Sequence, residues 1–332
     1  MSTHPTIAHL LGEWLEEPSM ANVMTSARQI EAVPANFASI PSNLDPRLLR
    51  ALDAANIKQL YSHQREAIDA AVRGENTVLV TPTASGKSLC FNVPVLNDLM
   101  ANPDGRALFL YPTKALTQDQ YNSVHNMIER AEADIRTFTF DGDTPADARM
   151  AVREVGQIVL TNPDMLHAGI LPHHTKWLKL LRNLRWVIVD ELHAYKGVFG
   201  SHLANVIRRL KRICAFHGSN PTFIGASATI ANPKELASRL LEVPVTLVER
   251  SGAPRAERHM VFANPPIVNR QLGIRGSYLH LTRRIVAKLL RKKLPTIVFV
   301  TSRVNVEILV KYLREDQIKR NQDPDAIQGY RG

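Results

Sequence analysis

The sequence is poor in cysteine: among 332 residues only Cys90 and Cys214 occur. Two thiols cannot make a disulfide framework or a four-cysteine zinc site. Both fall on apolar faces of helical pattern and are expected in the core. No apolar run approaches ~20 residues, so no transmembrane helix is expected. The opening MSTHPTIAHLLGEWLEEP has no basic stretch ahead of an apolar core, which argues against a secretory signal. No internal repeat or low-complexity segment is visible. His173-His174 invites a metal reading, but no Cys, Asp or further His stands at ligand spacing to it. These absences leave a reducing cytoplasm as the simplest setting, with no membrane partner.

What remains is ordinary globular composition, 45% hydrophobic and 22% charged, in a chain long enough for two cores. The net charge of +10 is unevenly placed. From Arg270 to Gly332 there are 14 Lys/Arg against 5 Asp/Glu, whereas the preceding residues hold 27 against 26. A neutral first part and a basic last segment fit a polyanion such as nucleic acid. The alternative is a solvated helix face whose acidic counterpart lies outside these residues.

Residues 1–44 contain a short amphipathic stretch, Ile7 to Glu17, and then prolines 34, 41 and 46. They are expected to form an extended arm packing on the next domain. From Asn76 onward, strand-like runs alternate with helical ones. The strands are Thr77–Val80, Ala107–Tyr111, Arg136–Phe140, Ile158–Thr161, Trp186–Val189, Thr222–Gly225 and Val245–Val248. This alternation predicts an α/β fold over residues 45–250, a doubly wound, mostly parallel sheet covered on both faces. Residues 251–258 read as a linker. A second βα pattern follows over 259–332: a strand His259–Ala263, a basic helix Tyr278–Arg291, a strand Thr296–Thr301 and a helix Asn305–Arg314. It is expected to be an incomplete domain.

The stretch NTVLVTPTASGKS, Asn76 to Ser88, is an apolar strand, a loop of small residues and the start of an apolar helix. That order makes the phosphate cradle of P-loop NTPases, although Thr81 stands where glycine is usual. Backbone N–H groups of Thr83, Ala84, Ser85 and Gly86 and the helix N-terminus converge on an anion. Lys87 would reach the β- and γ-phosphates of ATP, and the Ser88 hydroxyl would hold Mg²⁺. Asp190-Glu191-Leu192-His193 closes the strand Trp186–Val189. Adjacent acids directly after buried-type residues are costly unless something pairs them. Asp190 is the expected second Mg²⁺ ligand and Glu191 the base for the attacking water. Ser227-Ala228-Thr229 could hydrogen-bond that acidic pair. Gln64, with Tyr61 beside it, could recognise the adenine edge.

Three further strand ends carry small or hydroxyl residues: Pro112-Thr113, Gly142-Asp143 and Thr161-Asn162. Thr301 and Arg303 hold the corresponding place in the second pattern. Each alone is a turn; as a set they suit contacts to a phosphodiester backbone.

Taken in order, LYSHQ (60–64), TPTASGKS (81–88), PTKAL (112–116), TNPDML (161–166), DELH (190–193), SAT (227–229) and VFVTSR (298–303) resemble superfamily 2 helicases of the DEAD/DEAH type. DGDTP (141–145), GILPHHTKW (169–177), GVFGSH (197–202) and GYRG (329–332) are similar to the group of bacterial mitomycin-repair and fungal RecQ-like helicases. The resemblance implies two RecA-like domains acting on ATP and single-stranded DNA, with 3′-to-5′ movement in DNA repair. It implies ATP hydrolysis by Lys87, Ser88, Asp190 and Glu191, adenine contact by Gln64, and coupling by His193, Ser227 and Thr229. It also implies an arginine finger in a remainder of the second domain that these residues do not include, so that the 332 residues alone would turn over little ATP. An RNA helicase and a non-catalytic nucleotide-binding remnant are the alternatives.

Overall fold

The computed structural model describes residues 7–330. It divides into two compact units, Pro34–Arg255 and a smaller one joining Met1–Val33 to Ala256–Gly332.

In the larger unit, Thr77–Val80 and Ile158–Thr161 are buried at every position, as strands covered on both faces must be. Seven strands form one parallel sheet: β1 (Thr77–Val80), β2 (Arg106–Leu110), β3 (Thr137–Thr139), β4 (Ile158–Thr161), β5 (Leu184–Val189), β6 (Thr222–Ser227) and β7 (Thr246–Val248). Their spatial order is β7-β1-β6-β5-β2-β4-β3. The two-residue period sends alternate side chains to opposite faces. Val78, Leu108, Leu110, Val159 and Val187 pack on one side, against the helices Gly197–His217 and Pro233–Leu241. Leu79, Phe109, Leu160 and Ile188 pack on the other, against Lys87–Ala101 and Lys114–Arg130. Each such side chain contributes roughly 1.5–3 kcal/mol by leaving water. Cys90 and Cys214 lie in these two layers as buried thiols, and burial pushes them up to about 12 and about 11.

Residues 7–33 do not form an extended arm on this sheet. They carry a helix, Ile7–Glu16, and a strand, Met24–Ile30, which pairs antiparallel with Arg258–Ala263 in the smaller unit. An amphipathic helix must cover its apolar stripe. Leu10 and Trp14 do so with Met20 against Ile285, Leu289 and Leu294, while Glu17 meets Lys288 and Glu13 meets Lys292. The chain crosses between units after Arg255, inside the stretch read as a linker.

The helices Tyr278–Arg291 and Arg303–Ile318 enclose a small core of Val286, Leu309, Leu313 and Ile327. The expected strand Thr296–Thr301 has no ladder partner among the described residues. Val298 and Val300 pack inward, but Ile297 and Phe299 are 82% and 91% exposed. Alternation gives the segment its inner face; a ladder needs a second strand alongside.

Candidate nucleotide site and nucleic-acid interface

In a parallel sheet every strand delivers its following loop to the same edge. Register keeps those ends level: Val80 lies opposite Ser227, Gly225 opposite Val189, and Leu110 opposite both Val189 and Thr161. Along the edge the loops therefore run Thr81–Gly86 after β1, Ala228-Thr229 after β6, Asp190–His193 after β5, Pro112-Thr113 after β2, Asn162 after β4 and Gly142-Asp143 after β3. Candidate nucleotide residues occupy one half of the edge and candidate strand-contacting residues the other.

The loop after β1 turns through left-handed backbone at Ala84 and Gly86, with φ of 59° and 78°, before the helix Lys87–Ala101 begins. A left-handed turn aims successive N–H groups into one concavity. Thr81 and Ser85 fasten the loop base through a buried hydroxyl pair at 2.6 Å, while Thr83 and Ala84 stand exposed. Lys87 Nζ donates to the carbonyls of Thr81 and Pro82 at 2.9 and 3.0 Å. The Ser88 hydroxyl donates to Gln120 Oε1 at 3.1 Å, which leaves its oxygen lone pairs facing away from that bond.

Gln64 is 3% exposed, and its amide is bound by protein on both sides. Its Oε1 accepts from Tyr61 N at 2.8 Å, and its Nε2 donates to Gly86 O at 3.0 Å. It thereby latches the phosphate loop to the strand end at Tyr61. Gly86 suits its left-handed φ, and a Cβ there would come within 2.5 Å of Gln64 Nε2 and displace the amide that latches the loop. Tyr61 packs between Phe37 and His63, with ring centroids at 5.4 and 6.0 Å.

Asp190 is 7% exposed, and burial pushes its carboxyl up to about 6. The Glu191 N–H donates to its Oδ1 at 2.8 Å. Glu191 itself has φ of 53°, a left-handed conformation that costs a non-glycine residue on the order of 1–3 kcal/mol and persists where the surroundings enforce it. Its Oε2 lies 3.1 Å from His193 Nδ1, and that same nitrogen lies 3.2 Å from Ala228 N. One ring nitrogen cannot accept from Ala228 and donate to Glu191 together, so His193 chooses between the acidic loop and the loop after β6. The link is therefore the Ala228 backbone. Contrary to expectation, the Ser227 hydroxyl is buried with no hydrogen-bond partner, and Thr229 points to solvent without one among the described residues.

Ser88 and Asp190 offer hard oxygen donors, the kind Mg²⁺ takes in twos alongside phosphate and water. No cluster of three or more His, Cys, Asp or Glu suited to a metal exists among the described residues. The left-handed cradle at Gly86, the lysine across it and these two oxygens fit a Mg²⁺-nucleotide.

On the other half of the edge, Thr113 is exposed and caps the helix Lys114–Arg130 by accepting from Leu116 N at 3.3 Å. Pro112 beside it is half-buried. Asn162 caps the next turn through Met165 N at 2.8 Å. Gly142 and Asp143 are exposed, with Asp143 paired to Lys114. Thr161 departs from expectation: it is 1% exposed and its hydroxyl donates to the Phe140 carbonyl at 2.5 Å, so it braces two strands and cannot reach a bound strand. Thr301 and Arg303 lie in the smaller unit, both exposed, with Thr301 accepting from Asn305 Nδ2 at 3.4 Å.

Three residues in the site carried no signal that sequence reading used. His63 is fully buried; its Nδ1 accepts from Gly252 N and its Nε2 faces Ser85 O, each at 3.1 Å. The hydroxyls of Tyr111 and Tyr195 are buried within electrostatic reach of Asp190, with no hydrogen-bond partner among the described residues. His63 stands next to Gln64 at a helix start, which was a usable hint; the tyrosines were indistinguishable from core.

The chain is 50% identical over 304 residues to an uncharacterized ATP-dependent helicase of Bacillus subtilis, YprA, covering 92% of this chain and 40% of YprA. It is 34% identical over 305 residues to the ATP-dependent helicase HRQ1 of Saccharomyces cerevisiae, covering 90% of this chain and 28% of HRQ1. The crystal structure of the DUF1998 helicase MrfA bound to DNA superposes with a TM-score of 0.88 at 47% identity, over 94% of this chain and 41% of MrfA. The chain thus spans less than half the length of these relatives. The DEAD/DEAH box helicase profile matches residues 61–236, which hold the loop cradle, the acidic strand end and the coupling loop, and the chain belongs to that family.

Proposed function

We propose that the chain is the N-terminal portion of an ATP-driven helicase on DNA, one that moves 3′ to 5′ along a single strand in the cytoplasm during DNA repair. In this reading residues 259–332 contribute to a second RecA-like domain. The observation that carries the proposal is the order of loops along one sheet edge: phosphate cradle, coupling loop and acidic pair at one half, and at the other an exposed Thr113, an exposed Gly142-Asp143 turn and a half-buried Asn162. The relatives are ATP-dependent helicases, and MrfA is seen bound to DNA. Two buried free thiols suit a reducing compartment.

Lys87 offers its ammonium to phosphate oxygens from the helix N-terminus, where the backbone dipole adds to it. Ser88 and Asp190 would hold Mg²⁺, which supplies charge neutralisation on the phosphates when bound. Glu191 holds the attacking water and takes its proton. His193 then senses the state of Glu191 and passes it to Ala228, one strand nearer the cradle. Thr113, Asn162 and Gly142 present donors to a phosphodiester backbone without reading its sequence.

The test is calorimetric titration of Mg-ATP into the chain, with fluorescence anisotropy on a single-stranded DNA and an RNA of the same sequence. Saturable ATP binding and tighter binding of DNA than of RNA are expected. Binding of neither nucleic acid, or a clear preference for RNA, would sink the assignment.

A further inference from the structure

We propose that a basic cleft between the helices Tyr278–Arg291 and Arg303–Ile318 is an additional binding site for the phosphodiester backbone of nucleic acid. It lies in the smaller unit and involves none of the sheet-edge loops. The proposal rests on nucleic acid being the protein's partner and names a new place of contact.

The helix Tyr278–Arg291 contains no acidic residue. Its Arg284, Lys288 and Arg291 recur at i, i+4 and i+7, which puts them on one face. That face, with Arg283, lines one wall of a cleft of about 370 Å³; Arg320, just past the second helix, lines the other. Five permanent cations thus meet two carboxylates, Asp316 and Glu17. Each carboxylate is already matched by one cation. Asp316 takes both ends of the Arg283 guanidinium, at 2.7 and 2.5 Å, and Glu17 takes Lys288.

Three positive groups are left over. Arg284 Nη2 donates to the neutral Ser19 carbonyl at 2.5 Å. Arg291 and Arg320 have no side-chain hydrogen bond or close ion pair among the described residues, and Asp316, which acts on Arg320 at longer range, is already bound to Arg283. A merely solvated helix face would spread or alternate its charges. Here they converge from one helix and the end of another on one concavity, where Asp316 and Glu17 offset five cations only in part and an added anion would relieve the rest. Arg283 is rigid, since its guanidinium also lies 5.0 Å from the centre of the Tyr312 ring. Four of the five cations are arginines, whose planar donor fork matches phosphate oxygens. A polymer with a phosphate at every step can bridge several of them at once.

The test uses anisotropy of a short single-stranded DNA with the whole chain, between ~50 and ~200 mM salt. Arg291→Gln/Arg320→Gln is compared with Lys293→Gln/Lys311→Gln, which removes the same charge outside the cleft. All four positions lie on the surface or its margin, and thermal melts check that both variants fold. The cleft variant is expected to bind about three- to tenfold more weakly at the lowest salt. Its log-affinity against log-salt slope should be shallower by about 1.4, from ~0.7 per lost phosphate contact. The control should change less than about twofold. Equal behaviour of the two variants overturns the cleft while leaving the function proposed above intact; a wild-type chain that binds no DNA overturns both. A parallel titration with polyglutamate covers the other polyanion. If the cleft variant loses polyglutamate binding and keeps DNA binding, the cleft serves an acidic polypeptide and the proposal fails.

Discussion

The backbone N–H of Gly252 donates to Nδ1 of His63 at 3.1 Å, and this single bond fixes the histidine's tautomer. With Nδ1 accepting, Nε2 carries the proton and donates to the Ser85 carbonyl, also at 3.1 Å. His63 thereby ties the phosphate loop to the segment three residues before the chain leaves the larger unit. A Cβ at Gly252 would meet the Ser62 Oγ at 2.3 Å and the Asn36 carbonyl at 2.6 Å, so the junction admits only glycine.

His63 should make the larger unit acid-sensitive. Burial lowers its pKa below the ordinary 6.5, so the unfolded chain takes up the proton first. Stability is therefore full above about pH 6.5 and declines as pH falls through the folded pKa. His63→Phe leaves the Gly252 N–H and Ser85 carbonyl unpaired, at roughly 1–3 kcal/mol each. Denaturant melts from pH 7.5 to 5 should show a less stable variant with a flatter acid limb. An acid limb of unchanged steepness would assign the sensitivity to another group.

Asp190 should behave in the opposite sense. Its carboxyl is pushed up to about 6 by burial, so keeping it ionised at neutral pH costs roughly 2–3 kcal/mol of folding stability. Asp190→Asn should raise the melting temperature of the nucleotide-free chain at pH 7.5, and the gain should shrink toward pH 5, where the wild-type group is already protonated. The same variant should lose the Mg²⁺ dependence of ATP affinity. A variant less stable than wild type at pH 7.5 would show that the ionised carboxylate is well compensated.

Lys87→Ala removes the cation that spans the loop. Hydrogen bonds to charged groups contribute roughly 1.5–3 kcal/mol, so ATP affinity should fall about 10- to 100-fold by calorimetry while the melting temperature stays near wild type. Unchanged affinity would remove Lys87 from the site. Glu191→Gln preserves size and should leave ATP affinity within a few-fold, since Glu191 is read as a base and not a binding group.

Thr161 and Asn162 should separate cleanly. Thr161→Val deletes a buried bond to Phe140 and should cost about 1 kcal/mol of stability with no change in DNA affinity. Asn162→Ala should weaken single-stranded DNA binding several-fold. Equal loss of DNA affinity in both variants would mean that the loop after β4 acts through its shape, not its side chain.

Sequence determined the sheet, because strands buried on both faces write continuous apolar runs and the intervening helices write a 3.6-residue period. All seven strands of the sheet are legible in it to within two residues at either end. The loops that carry Lys87, Ser88, Asp190 and Glu191 were also legible, since a parallel sheet sends every such loop to one edge. What sequence could not give was which polar groups are consumed by the fold. Gln64 and Thr161 look available as letters; only packing shows that one latches Gly86 and the other braces Phe140. Nor could it place residues 7–33, whose strand pairs Met24 with Ala263 and Ile30 with Arg258, partners far away along the chain. Strand pairing and burial are set by contacts between distant segments, and a local pattern records only that a face needs covering, never which part of the chain will cover it.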